Sequence, residues 1–203
     1  DIKIWEVTTG TELMTLLGKD QYDHHWSVCV AFSPDGTSLV SASGGDPKNN
    51  GATEDFSDSL KIWDTESGRE VRTLAGHGGL TWWAAFSPDG RTIVSAGRSS
   101  PAWDSQTTIK TWDAASGREL RSFAQPAIGP LALSPDGRGL LLSGSSSTPM
   151  RLLDVATGRE LRTFKGHGGL VSSVAFSPER LSHGRAHGVV TARVERSDRP
   201  VAG

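Results

Sequence analysis

The feature that most restricts what this chain can fold into is an internal repeat. Residues 68–88 (GREVRTLAGHGGLTWWAAFSP) and 158–178 (GRELRTFKGHGGLVSSVAFSP) align without a gap and agree at most positions. The first part returns at 117–123 (GRELRSF) and, more weakly, at 10–16 (GTELMTL). A second segment, Phe32-Ser33-Pro34-Asp35-Gly36, recurs at 86–90, at 133–137 with Leu133 for Phe, and altered at 176–180. A third element lies between them: Ile4-Trp5-Glu6, Ile62-Trp63-Asp64, Thr111-Trp112-Asp113 and Leu152-Leu153-Asp154. In each copy a glycine (Gly10, Gly68, Gly117, Gly158) follows the Trp or Leu153 by five residues. The period runs from 41 to 58 residues. A period of this size marks a stack of supersecondary units, none of which buries its apolar face alone.

Each unit reads as strands and turns. Val28-Cys29-Val30-Ala31-Phe32 is a continuous apolar run, the pattern of a strand covered on both faces. Pro34-Asp35-Gly36 is a turn, with Pro fixing φ and Gly taking the left-handed position. Leu39 to Ser43 gives a second strand and Leu60 to Trp63 a third, with Leu60 and Ile62 on one face. Residues 64–68 make a hairpin turn into an outer strand at 70–74. Four antiparallel strands per unit, repeated at this period, form a propeller blade. The composition agrees: 24 Gly and 10 Pro imply many turns, and 7 Trp supply bulk for a β core.

The Gly76-His77 and Gly166-His167 pairs, the Trp-Asp dipeptides and the repeated Ser-Pro-Asp-Gly turns together resemble the WD-repeat β-propeller family. The likeness covers residues 1 to about 178, and the simple turns look most like bacterial members. The fold class is therefore all-β, an incomplete WD-type propeller. Full blades are expected at 24–74, 78–123 and 129–164, a partial blade at 1–17, and one further inner strand at 170–178. An open arc is expected rather than a closed ring of four blades, since such propellers commonly close with about seven. The chain reads as a fragment of a longer protein that supplies the missing blades. It begins inside a strand without Met, so a missing leader says nothing about compartment, and cytoplasm is the default expectation.

The resemblance also implies a hydrogen-bonded tetrad of His, Ser or Thr, Asp and Trp. By position one blade offers His77, Ser95 and Trp112, and the preceding one His24 or His25, Ser41 or Ser43, and Trp63. The Asp that should precede the Trp by six residues is Ser57 or Gln106 here, and Asp58 and Asp104 are out of register. The blade ending at Leu153 has Gln125-Pro126 in place of the His and no Trp. No complete tetrad is expected, so packing carries more of the stability. A buried network of this kind is structural, and a catalytic triad is not inferred from it.

Antiparallel strands put the connections into inner strands and the second-to-third-strand connections on one face. All length variation falls there, at 18–26, 44–58 and 98–107. Variable loops on a rigid scaffold are the usual place for function. The candidate partner-binding residues are Tyr22, His25, Trp26, Asp55, Phe56, Arg98, Trp103 and Asp104, aromatics flanked by charge that suit a protein or peptide. Trp82 and Trp83 are adjacent, so they are expected on opposite faces, one between blades and one nearer the channel mouth.

Other chemistry is thinly represented. Lys and Arg number 21 against 23 Asp and Glu, a formal net charge of −2, which lacks the basic excess of a nucleic-acid binder. No apolar run is long enough for a transmembrane helix. The single cysteine, Cys29, sits in an apolar strand as a small buried hydrophobe. His24-His25 and the His183/His187 pair do not make metal sites, and Gly-His-Gly-Gly is flanked by strands rather than by the helix a phosphate loop needs. No cofactor, metal, nucleic acid or membrane is expected.

After Pro178 the pattern breaks into an atypical Arg-rich tail, 179–203, in which 182–203 match no other copy. A reading-frame change, a disordered segment and an interaction tail are its possible origins, although 189–194 has the composition of a strand. The leading functional expectation is a non-enzymatic protein-interaction scaffold or regulatory module. A hydrolase-like propeller enzyme and a gene fragment without independent function are the alternatives. The inner strands offer Val28, Cys29, Trp82, Trp83, Ser172 and Ser173, which do not form catalytic equipment.

Overall fold

The computed structural model describes residues 2–16, 26–44, 60–98, 106–126, 129–143, 148–166, 169, 171–177 and 190–194; of these, 26–28, 44 and 190–194 are described by backbone alone. The chain forms two compact units, Asp1–Pro126 and Ala127–Gly203. Every described element is a strand, and among the described residues no helix is long and apolar enough to cross a membrane.

The first unit opens with a hairpin, β1 (Ile2–Trp5) and β2 (Glu12–Leu16). Two four-stranded antiparallel meanders follow, β3 (Trp26–Phe32), β4 (Ser38–Gly44), β5 (Leu60–Asp64) and β6 (Glu70–Thr73), then β7 (Thr81–Phe86), β8 (Thr92–Arg98), β9 (Thr107–Asp113) and β10 (Glu119–Gln125). The second unit holds a third meander, β11 (Leu131–Leu133), β12 (Gly139–Leu142), β13 (Met150–Asp154) and β14 (Glu160–Phe164). It ends in a two-stranded sheet, β15 (Val171–Phe176) and β16 (Val190–Val194). Each expected blade thus contains one open four-stranded sheet.

Register shows that the sheets are copies of one design. Phe32 pairs with Leu39, Phe86 with Ile93, Leu133 with Leu140, and Phe176 with Val190. The inner strands β3, β7 and β15 also share a bulge near their starts. By this register β1 and β2 are the third and fourth strands of a blade, while β15 and β16 are a first and second. The Arg-rich segment therefore contributes β16 at the second-strand place, although its 177–189 connection replaces the five-residue turn used by the complete blades.

The repeated turns explain why the sequence folds this way locally. In 33–37, Ser33 Oγ donates to Asp35 Oδ1 at 2.6 Å and accepts the Ser38 amide at 2.9 Å, and Gly36 adopts φ 73°. Ser87 and Ser134 repeat the same arrangement with Asp89 and Asp136. These hydrogen bonds hold the three carboxyls below their ordinary range. At the other turns Asp64, Asp113 and Asp154 each accept a backbone amide three residues on, from Ser67, Ser116 and Thr157. The Asp of the Trp-Asp dipeptide is thus spent on its own turn.

Inside the first unit, Val40, Ala42, Leu60, Ile62 and Leu74 of one meander form a buried cluster with Ala84, Ile93 and Trp112 of the next. Cys29, Ala31 and Phe86 pack against it, and Cys29 Sγ lies 3.5 Å from the Ala84 carbonyl. On the other side, Leu39 and Trp63 bury against Ile2, Ile4, Met14 and Leu16. The expectation of an inner strand covered on both faces fails here. Val30 is 48% exposed and Phe32 53%, because β1 and β2 cover Leu39 and Trp63 instead.

Candidate functional site

In the β7–β10 blade three of the four tetrad residues come together. His77 Nε2 is 2.8 Å from Ser95 Oγ, and Trp112 Nε1 donates to the same oxygen at 2.8 Å. Ser95 is fully buried on β8, and Trp112 on β9 is 1% exposed. Burial first, and the Lys110 ammonium second, push the His77 pKa down to about 3, so the ring is neutral at physiological pH. Lys110 is held by Glu119 at 2.6 Å and lies 5.7 Å from the Trp112 ring centroid. Gly97 makes room for the imidazole, since a Cβ there would sit 2.6 Å from His77 Nδ1.

The missing Asp leaves a visible mark. Among the described residues His77 Nδ1 is buried without a hydrogen-bond partner, and Gln106, at the place where the resemblance puts the Asp, is exposed. An orphaned buried nitrogen costs about 1–3 kcal/mol. In the preceding blade Trp63 Nε1 donates to Ser41 Oγ at 2.9 Å, while His24 lies outside the described residues. Of the two serines offered by sequence, Ser41 is the one used.

Among the described residues the third blade has no such network. Register puts Leu142 where Ser95 stands and Leu153 where Trp112 stands. Both leucines are at most 1% exposed. All three arrangements lie inside sheets, and none presents a nucleophile or base to solvent. Among the described residues no group of three or more His, Cys, Asp or Glu is placed to hold a metal.

The expected partner-binding face is only partly visible. Tyr22, His25, Asp55, Phe56, Trp103 and Asp104 lie outside the described residues. Trp26, expected in a loop, is the first residue of β3 and pairs with Gly44. Arg98, expected to open the next loop, ends β8 opposite Thr107, and its amide donates to the Leu80 carbonyl at 2.8 Å. Both are pulled into the sheet because pairing there satisfies backbone groups that a loop would leave to water.

Trp82 and Trp83 also differ from the expectation. Register passes from Thr81↔Gly97 to Trp83↔Ala96, so Trp82 is the bulged residue and simple alternation does not apply. Both rings are half-buried. A feature that periodicity concealed is the outer-strand clamp. Lys3–Glu12, Lys61–Glu70 and Lys110–Glu119 pair at 2.6, 3.1 and 2.6 Å across the third and fourth strands. The Lys two residues before each Trp and the Glu two after each turn glycine were its signal.

Two features of the geometry, the repeated meander and the Trp–Ser pair inside it, can now be set beside known proteins. The chain is 33% identical over 106 residues to protein tipD of Dictyostelium discoideum and 39% identical over 106 residues to nuclear distribution protein PAC1 of Arthroderma otae. It is 34% identical over 96 residues to the WD repeat-containing protein sll1491 of Synechocystis. These stretches cover 52%, 51% and 47% of this chain but only 15%, 21% and 23% of the relatives. The relatives are mostly eukaryotic, so nothing in them ties the chain to bacterial members in particular. The solved structure of U3-55K superposes with a TM-score of 0.58 at 23% identity, covering 79% of this chain and 44% of that one, and supports the fold alone. More than half of the sequence, residues 15–64, 68–113 and 158–181, matches the family described as WD domain, G-beta repeat, and the chain belongs to that family.

Proposed function

We propose that this chain is a non-enzymatic scaffold that binds a protein or peptide partner at the edge formed by its second-to-third-strand connections. One observation carries the reading. Every turn between first and second or third and fourth strands of the complete blades has five residues, while the second-to-third connections span 45–59, 99–106 and 143–149. Uniform turns keep the scaffold fixed, and variation confined to one edge concentrates recognition there. The family's relatives, which carry names such as nuclear distribution protein and WD repeat and SOCS box-containing protein 1, support a binding role over a catalytic one.

The proposed contact residues are Trp103, Asp104, Asp55 and Phe56, with Tyr22 and His25 on the connection into β3. Trp26 and Arg98 border them from within the sheet. Affinity capture from a lysate of the source organism, with the native chain and with Trp103→Ala plus Phe56→Ala, tests the reading. Loss of captured proteins in the variant, with an unchanged circular dichroism spectrum, supports it. An identical set of captured proteins removes this edge as the binding surface.

A further inference from the structure

The outer hairpin of the third blade differs in charge from its counterparts. In the first unit the lysine on the third strand closes onto the glutamate of the fourth, as Lys61–Glu70 and Lys110–Glu119 do. Register puts Arg151 at the lysine's place, opposite Thr163 as Lys61 is opposite Thr73, and Glu160 at the glutamate's place. The clamp is nonetheless open. Glu160 accepts the Thr163 hydroxyl, and Arg151 forms no ion pair among the described residues. Arg159, Arg162 and Lys165 are exposed and also have no carboxylate partner among those residues. Asp154, the other acid of the hairpin, is occupied by the Thr157 amide and hydroxyl.

Two further features lie among these cations. Register moves from Leu152↔Arg162 to Leu153↔Glu160, so Leu161 is the bulged residue, and it is 56% exposed. Among the described strands β14 is hydrogen-bonded to β13 alone, which leaves the backbone groups of its other edge open to an added strand.

We propose that the outer edge of β14 docks an extended acidic peptide segment of another protein. The segment pairs with the strand, sets carboxylates against Arg159, Arg162 and Lys165, and lays an apolar side chain on Leu161. Charge selects this occupant. The outer strands β6 and β10 carry the same Arg-Glu-aliphatic-Arg run as β14, so a second copy of the chain would bring like charges together across the edge. The formal net charge of −2 opposes a nucleic acid, and an aliphatic side chain stands where a base would need an aromatic platform. This surface lies on a fourth strand and is distinct from the second-to-third-strand connections.

The test uses the full 203-residue chain and a fluorescein-labelled peptide of alternating Asp and Val, followed by anisotropy at about 0.15 M salt. Saturable binding is expected. Arg159→Glu with Arg162→Glu should weaken it on the order of tenfold or more, and Leu161→Asp by about fivefold. Leu13→Asp, at the same bulge place on β2 where no arginine flanks it, should leave binding unchanged, as should Trp103→Ala plus Phe56→Ala. A peptide with Pro in place of each Val keeps the charge but adds poorly as a strand, and should bind on the order of tenfold more weakly. The proposal is overturned by no saturable binding, by binding that survives the double charge reversal, or by equal binding of the Pro peptide. Loss of binding in either control variant, or tighter binding of a single-stranded DNA of the same charge, would overturn it as well.

Discussion

At the register position opposite Ala84 the β7–β10 blade carries Ser95, and its oxygen serves both Trp112 Nε1 and His77 Nε2. At the same position, opposite Leu131, the β11–β14 blade carries Leu142, with Leu153 where the Trp would be. The first blade buys an oriented indole at the cost of one orphan, His77 Nδ1. The second fills the space with hydrocarbon and retains a different group without a partner among the described residues, Ser143 Oγ, against which a Cβ on Gly129 would press at 2.7 Å. Replacing both partners of a buried hydrogen bond by apolar groups is close to neutral, whereas removing one is expensive. The two blades therefore differ in how they respond to single changes more than in how well they fold.

The largest effect should come from Trp112→Ala, a loss of about 3–5 kcal/mol from the cavity and the lost indole hydrogen bond to Ser95 together, read by urea unfolding. Leu153→Ala, which strands no polar group, should cost toward the lower end of about 2–5 kcal/mol. Equal losses in the two variants would break the comparison. Leu142→Ser, which puts the serine of one blade into the other without its Trp and His, should destabilise by about 2–4 kcal/mol. A neutral outcome would mean that the third blade admits water at that position.

Acid should separate the blades next. The His77 pKa falls from an ordinary 6.5 to about 3 on folding, so below pH 6.5 the unfolded chain binds the extra proton. Stability from this site is complete above pH 6.5 and is lost as pH falls toward 3. Near pH 5 the loss should be about 2 kcal/mol, and His77→Leu should flatten that part of the pH profile. A profile unchanged by the substitution would show that the imidazole is not held neutral. The smallest effect is a gain: Gln106→Asp should add about 0.5–1.5 kcal/mol by giving His77 Nδ1 a partner, seen as slower hydrogen exchange in β8 and β9.

Much of the fold was legible because the repeat is written in residues with local consequences. Pro34-Asp35-Gly36 and the glycine five residues after each Trp each close a turn within a few residues, so copying the motif copies the geometry. Strand identity followed from apolar periodicity between those turns. The site was less legible. Spacing puts Ser57 and Gln106 where the tetrad Asp belongs, but it does not say that His77 Nδ1 is then buried with no hydrogen-bond partner among the described residues. The exposure of Val30 and Phe32 depends on which strands stand beside them, a long-range fact that apolarity alone does not encode. Trp26 and Arg98 were read as loop residues because turn composition nearby outweighed the pairing that draws them into β3 and β8.

The turns of the complete blades have one more consequence. Each is closed by its own aspartate, glycine and serine or threonine, and each outer pair of strands in the first unit by its own lysine and glutamate; Arg72 Nη2, which donates to the Ala115 carbonyl at 3.2 Å, reaches one such turn from the preceding blade. A stretch of DNA encoding one such cassette can be duplicated by unequal crossing-over and inserted beside its parent with its corners already satisfied. Only the face that meets the next cassette must then be retuned. That division of labour accounts for a chain whose corners are nearly identical while its interior has drifted as far as from Ser95 and Trp112 to Leu142 and Leu153.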